Sequence, residues 1–160
     1  MYIGGGLANK MFQYAFSLAI KKKGYDVVYD TITFKTEFVH DRVELDDIFP
    51  NVNMNKISKS DYWAAGKQNK LARLVKRISP KYITEHAYLF NDRVWKQIKP
   101  TCYLESSWQD ENYFVSAADE VRQAFVFPPF ENKRNVEVAK AMASSNSVAI
   151  HIRKGDGYCT

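Results

Sequence analysis

The chain has 160 residues, of which 46% are hydrophobic and 26% charged, with 23 Lys and Arg against 18 Asp and Glu for a formal net charge of +5. That is the balance of an ordinary globular domain with a real core, and it excludes an intrinsically disordered or collagen-like chain. No run of about 18 apolar residues exists, so no membrane span is expected, and Gly4–Gly6 falls where the apolar core of a signal peptide would build up. Cys102 and Cys159 are few and far apart, which reads as two reduced thiols and gives neither a disulfide framework nor a zinc spacing.

In chain order, Met1–Ile3 is a short strand stub followed by Gly4-Gly5-Gly6, a backbone able to turn tightly and approach a ligand. Apolar residues at Met11, Phe12, Ala15, Phe16, Leu18 and Ala19 predict a helix from about Ala8 to Lys23. Lys21–Lys23 oppose its dipole in the last turn, and Gly24 stops it. Tyr25–Asp30 reads as the next strand, completing a βαβ unit whose helix amino terminus is a ready anion site. Packing alone is the competing reading of the glycine turn.

His40, Asp41, Glu44, Asp46 and Asp47 form an acidic patch, read as a solvated turn. Residues 67–81 hold six basic residues and no acidic one, and residues 67–78 predict an amphipathic helix with Leu71, Leu74, Val75 and Ile78 on one face. That helix is either an ordinary surface helix or a contact to an anionic surface such as a lipid. Cys102–Glu105 reads as a strand, with Ser106–Gln109 as the loop at its carboxyl end. Trp108 there either stacks on a sugar face, with Gln109 bonding sugar hydroxyls, or packs into the core. Ser116 to about Phe125 predicts a helix opened by a capping box at Ser116–Asp119, and a second begins at Asn132 or Asn135, with Val136, Val138, Ala139 and Met142 inward. Val148–Ile152 predicts a final strand, ended by Arg153, Lys154 and Gly155. Cations at the carboxyl edge of a sheet suit a phosphate, with Arg as a rigid fork and Lys as a point charge, or are ordinary solvated charges at an exposed strand end.

Three stretches together carry a resemblance. His151–Asp156, HIRKGD, resembles the H-x-R-R-G-D motif of fucosyltransferases that use GDP-fucose. Gly5–Ala15, GGLANKMFQYA, resembles their amino-terminal G-G-L-G-N-Q-M-F-Q-Y-A, and Tyr103–Gln109, YLESSWQ, with Tyr113-Phe114, resembles Y-L-E-G-Y-W-Q…Y-F. In this order they point to glycosyltransferase family 11, the α-1,2-fucosyltransferases, of bacterial type. The sequence departs from the pattern at Ala8, Lys10, Ser106, Ser107 and Lys154.

The resemblance implies an α/β fold: a Rossmann-like domain, the acceptor-side half of a GT-B glycosyltransferase. Residues 1–146 would form that domain, and residues 147–160 the first strand and motif of a truncated donor-side domain. It implies transfer of L-fucose from GDP-fucose to a galactose 2-hydroxyl of a glycan, inverting and metal-independent, with no cofactor beyond the donor substrate. The chain has no D-x-D, which metal-dependent sugar-nucleotide transferases usually carry.

Arg153, His151 and Asp156 are the catalytic candidates. Gly5, Gly6, Asn9, Arg153 and Lys154 are expected at the donor, and Trp108 and Gln109 at the acceptor. Lys10 would touch phosphate or point to water. A cytoplasmic location follows, with peripheral membrane contact through residues 67–81, and about half of a typical member lies beyond this chain, which is expected to have little turnover alone. The competing class is a non-catalytic basic module for RNA or an anionic surface. The ordered motifs argue against it, so no nucleic-acid partner is expected.

Overall fold

The computed structural model describes residues 1–32, 43–58, 82–85 and 89–152. They form two compact units, Met1–Phe127 and Pro128–Thr160.

Met1–Phe127 mixes helix with short parallel strand pairings. Helix α1 spans Leu7–Lys22, close to its sequence expectation. It buries Tyr14, Ala15, Phe16, Ala19 and Ile20, but also the polar Lys10, Gln13 and Ser17. Its end follows from Gly24, whose φ of 89° lies in the left-handed region and whose amide returns to the Lys21 carbonyl at 2.8 Å. A four-residue helix, α2 (Leu45–Ile48), is opened by a reciprocal capping box between Glu44 and Asp47. The expected solvated acidic turn is thus partly structural. Lys56 Nζ lies 2.6 Å from both Glu44 Oε2 and Asp46 Oδ2, while His40 and Asp41 lie outside the described residues.

Strands β1 (Tyr82–Thr84) and β2 (Tyr103–Glu105) pair in parallel, Ile83 opposite Leu104. Further pairing continues beyond β2. Tyr2 donates to the Leu104 carbonyl at 2.9 Å, Tyr2 bridges Asp30 in parallel, and Tyr29 bridges Lys56 in parallel. Across this layer the order is Lys56, Tyr29–Asp30, Met1–Ile3, β2, β1. The strand expected over Tyr25–Asp30 is reduced to its last two residues.

Helix α3 (Asp92–Gln97) is capped by Asn91, whose side chain accepts from the Arg93 amide. Two short 3-10 turns, Glu111–Tyr113 and Val115–Ala117, lead into α4 (Ala118–Ala124). The expected capping box at Ser116 does not form, because Val115–Ala117 is already wound as a 3-10 turn and Ala117 is the cap.

The core centres on Phe16, fully buried, with ring centroids 4.8 Å from Trp108 and 5.1 Å from both Trp95 and Tyr113. Burying such a ring stabilises by about 1.5–3 kcal/mol. It locks α1 onto α3 and onto the segment that follows β2.

In Pro128–Thr160, helix α5 spans Lys133–Ala143, and the Asn132 side chain accepts from the Arg134 and Asn135 amides. It buries no residue, and Val138 and Met142, expected inward, are exposed. Val148–Ile152 does not pair with any strand among the described residues. A β segment needs a neighbour for its ladder, and without one Val148, Ile150 and Ile152 stand 74–87% exposed. Among the described residues no helix is long and apolar enough to cross a membrane.

Candidate functional site

Three chain segments end at one edge of the layer. β1 and β2 run in parallel, so Glu85 and Ser106 follow them at the same edge, and the Ser106 hydroxyl donates to the Glu85 carbonyl. Met1–Ile3 runs the same way. Tyr2 bonds Leu104, and two residues further on in both segments Gly4 and Ser106 are bonded through one side chain, Gln13. Asp30 lies on one side of Met1–Ile3 and β2 on the other. The chain leaves Met1–Ile3 toward the Asp30 side, so the gap between Gly4–Gly6 and Ser106–Gln109 is where the strand order reverses. Open parallel sheets bind ligands at that place.

The glycine turn enters α1 with Gly6 as an N-cap that offers no side chain and with no acidic residue in the first turn. Its first amides therefore have no side-chain cap. Gly5 has φ 85°, and a Cβ on it would stand 2.7 Å from Asn9 Nδ2. Asn9 is folded back over the space that Gly5 leaves. Gly6 is exposed and open, and a Cβ on it would meet nothing within 4 Å.

Asn9 meets the second loop, its Oδ1 accepting from Gln109 Nε2 across 100 residues of chain. Gln13, 2% exposed, supports this junction from beneath: its Oε1 accepts from the Gly4 amide at 2.8 Å, and its Nε2 donates to the Ser106 carbonyl at 3.1 Å.

Trp108 takes a left-handed φ of 53°, a strained state for a bulky residue. Its ring is 2% exposed and packed on Phe16 and Tyr113. Of the two readings of Trp108, the structure carries the packing one: a ring so covered has no free face for a sugar. Asp110 anchors the loop further, accepting from the Phe90 amide at 2.7 Å and the Asn112 amide at 2.9 Å. These backbone donors hold its carboxyl below the usual range, the Asn112 amide first.

Lys10 neither faces a phosphate site nor points to water. It is buried, and its ammonium donates to the Val43 carbonyl at 2.6 Å.

The structure thus brings Gly5, Gly6, Asn9 and Gln109 together at one edge. His151 is an exposed residue of the second unit. Arg153, Lys154, Asp156 and the basic stretch 67–81 lie outside the described residues. Among the described residues no group of three or more His, Cys, Asp or Glu is placed to hold a metal ion. Sequence reasoning gave no role to Gln13 or Glu85. The signal for Gln13 was present: a carboxamide between Phe12 and Tyr14, inside the Gly5–Ala15 stretch that carries the resemblance.

No protein-family model matches the chain, and no solved structure matches it. Among curated proteins it is 27% identical, over 171 residues, to an α-1,2-colitosyltransferase of Escherichia coli. The match takes in 96% of this chain and 53% of that protein, so the chain spans about half the length of the curated relative it matches. Nearly the whole chain is therefore similar to part of a bacterial glycosyltransferase.

Proposed function

We propose that this chain is the acceptor-side part of a transferase moving a fucose-type sugar from its GDP ester to a glycan, with a galactose 2-hydroxyl as the acceptor. The observation that carries the reading is the meeting of Asn9, above the glycine turn, with Gln109, after β2, at the edge where the strand order reverses. Similarity to a colitosyltransferase supports it, because colitose is itself a fucose-like deoxyhexose. The parallel segment order is what supports a Rossmann-like reading of the domain.

In the proposed reaction the bond from the anomeric carbon to the phosphate oxygen breaks and the acceptor oxygen bonds that carbon from the opposite face. Its proton passes to a base, for which His151 and Asp156 are the candidates. Negative charge grows on the departing GDP. Arg153, helped by Lys154 and the amides at Gly5 and Gly6, would stabilise it more in the transition state than in the ground state. No metal or cofactor enters this scheme. Contact of residues 67–81 with anionic lipid at the cytoplasmic face of a membrane belongs to the same proposal.

Calorimetric titration of the 160-residue chain with GDP-fucose, GDP-colitose and GDP tests the reading. The expected result is millimolar or tighter binding, about −4 kcal/mol or better, weakened at least tenfold in Arg153→Ala. GDP-colitose binding more tightly than GDP-fucose would move the donor assignment to the relative's sugar. A folded chain that ignores all three, or that binds any polyanion alike with steep salt dependence, overturns the reading in favour of a basic binding module.

A further inference from the structure

Residues 107–109 are held firmly at their flanks and lightly in between. On one side the Ser106 carbonyl accepts from Gln13 Nε2 at 3.1 Å, and the Ser106 hydroxyl donates to the Glu85 carbonyl. On the other, the Asp110 carboxylate accepts from the Phe90 amide at 2.7 Å and the Asn112 amide at 2.9 Å. Between these anchors one hydrogen bond among the described residues holds the segment, from Gln109 Nε2 to Asn9 Oδ1.

The middle residue carries two costs at once. Trp108 has φ 53°, in the left-handed region where a bulky side chain crowds its own backbone. Its indole Nε1 is buried without an acceptor among the described residues, and so forfeits the hydrogen bond that water would give it. Ring burial opposes both costs: the indole is 2% exposed, with centroids 4.8 Å from Phe16 and 5.4 Å from Tyr113. Phe16 and Tyr113 also meet each other at 5.1 Å, and Phe16 meets Trp95 at 5.1 Å. Withdrawal of the indole would therefore relieve the backbone and hydrate the N–H while these ring contacts stay in place. A relaxed, hydrogen-bonded core Trp regains neither on leaving.

We propose that residues 107–109 are a two-state strap, with the Gln109–Asn9 bond as its latch. In the seated state Trp108 is buried and strained, and Gln109 bridges to Asn9 across the gap between the glycine turn and the segment after β2. In the released state the Trp108 φ is negative, the indole N–H meets water, the bridge is broken and the gap is open. A ligand that enters the gap has to displace the bridge. It draws the equilibrium toward the released state by its differential affinity for the two. The strap stands on the geometry of its own segment and needs no assignment of that ligand.

Hydrogen exchange followed by NMR on the 15N-labelled 160-residue chain tests this, with the Trp108 indole signal assigned by its loss in Trp108→Phe. The indole N–H is expected to be protected at least tenfold less than the Phe16 backbone amide, which lies inside α1 and is released with the fold. Asn9→Ala and Gln109→Ala remove opposite ends of one bond. Each should speed indole exchange by about threefold or more, with the Phe16 amide unchanged, and the double variant should add little to either. The proposal is overturned if the indole and the Phe16 amide are equally protected, because Trp108 then leaves only on unfolding. It is also overturned if the single variants leave the indole rate unchanged, or if their effects simply multiply in the double variant. GDP-fucose that binds should speed indole exchange further. Binding that leaves or slows that rate overturns the gate and spares the transferase reading. A weakly protected indole in a chain that binds no GDP-sugar does the reverse.

Discussion

Gly5 is the residue on which the edge geometry turns. Its φ of 85° is one that side chains rarely adopt, and a Cβ there would also press on Asn9 at 2.7 Å from Nδ2 and 3.2 Å from Cβ. Gly5→Ala should therefore destabilise by about 1–3 kcal/mol, seen as a lower melting temperature. Gly6→Ala, where a Cβ meets nothing within 4 Å, should stay within about 0.5 kcal/mol. Equal effects at the two positions would show that the turn tolerates a side chain at Gly5. The run of glycines was legible in the sequence, but its division into one constrained and one open residue was not, since that depends on where Asn9 folds back. Lys10 was misread for a related reason. A lysine in the first turns of a helix is ordinarily solvated, and the Val43 carbonyl, supplied by another segment, accepts from this buried one.

Helix α1 was legible because its periodic apolar face is local information. Its docking was not, because it depends on partners far along the chain. Beneath it Tyr14 stacks on Tyr29 at 5.7 Å, and Ser17 Oγ shares a hydrogen bond of 2.8 Å with the Tyr29 hydroxyl. Burial pushes the Tyr29 phenol up to about 12, against a smaller lowering by the Ser17 bond. Because the folded value lies above the unfolded one, near 10, this contribution is fully present below pH 10. It is lost as pH rises from 10 through 12, a change of about 2–3 kcal/mol. Urea melts from pH 9 to 12 should show that loss, and Tyr29→Phe should flatten the slope. An unchanged slope in the variant would place the alkaline sensitivity elsewhere, for instance at Tyr14 or Tyr113, which burial also raises. The short strands were harder to read than α1. Tyr25–Asp30 carries strand-forming residues along its length but bridges only at Tyr29 and Asp30, and α3 was missed because its six residues are too few to show a period.

At the scale of the whole molecule, the buried apolar residues among the described ones all lie between Met1 and Ala124, and α5 buries none. The first unit should therefore hold its fold without the second. A chain ending at Phe127 is expected to melt cooperatively, within a few degrees of the 160-residue protein. Loss of the cooperative transition on that truncation would show that residues 128–160 complete the core. The candidate site was legible here only as a set of separate motifs. Sequence assigned Asn9 to the donor and Gln109 to the acceptor, and only the sheet edge shows that the two side chains touch.

Trp108 has a consequence for observation. Its indole is enclosed by Phe16 and Tyr113, and its Nε1 is buried without a hydrogen-bond partner among the described residues. An indole in such surroundings fluoresces at shorter wavelength than one in water. The chain thus carries an optical probe one peptide bond from Gln109, and with Trp63 and Trp95 replaced by Phe the colour of its emission would register whether that loop is seated.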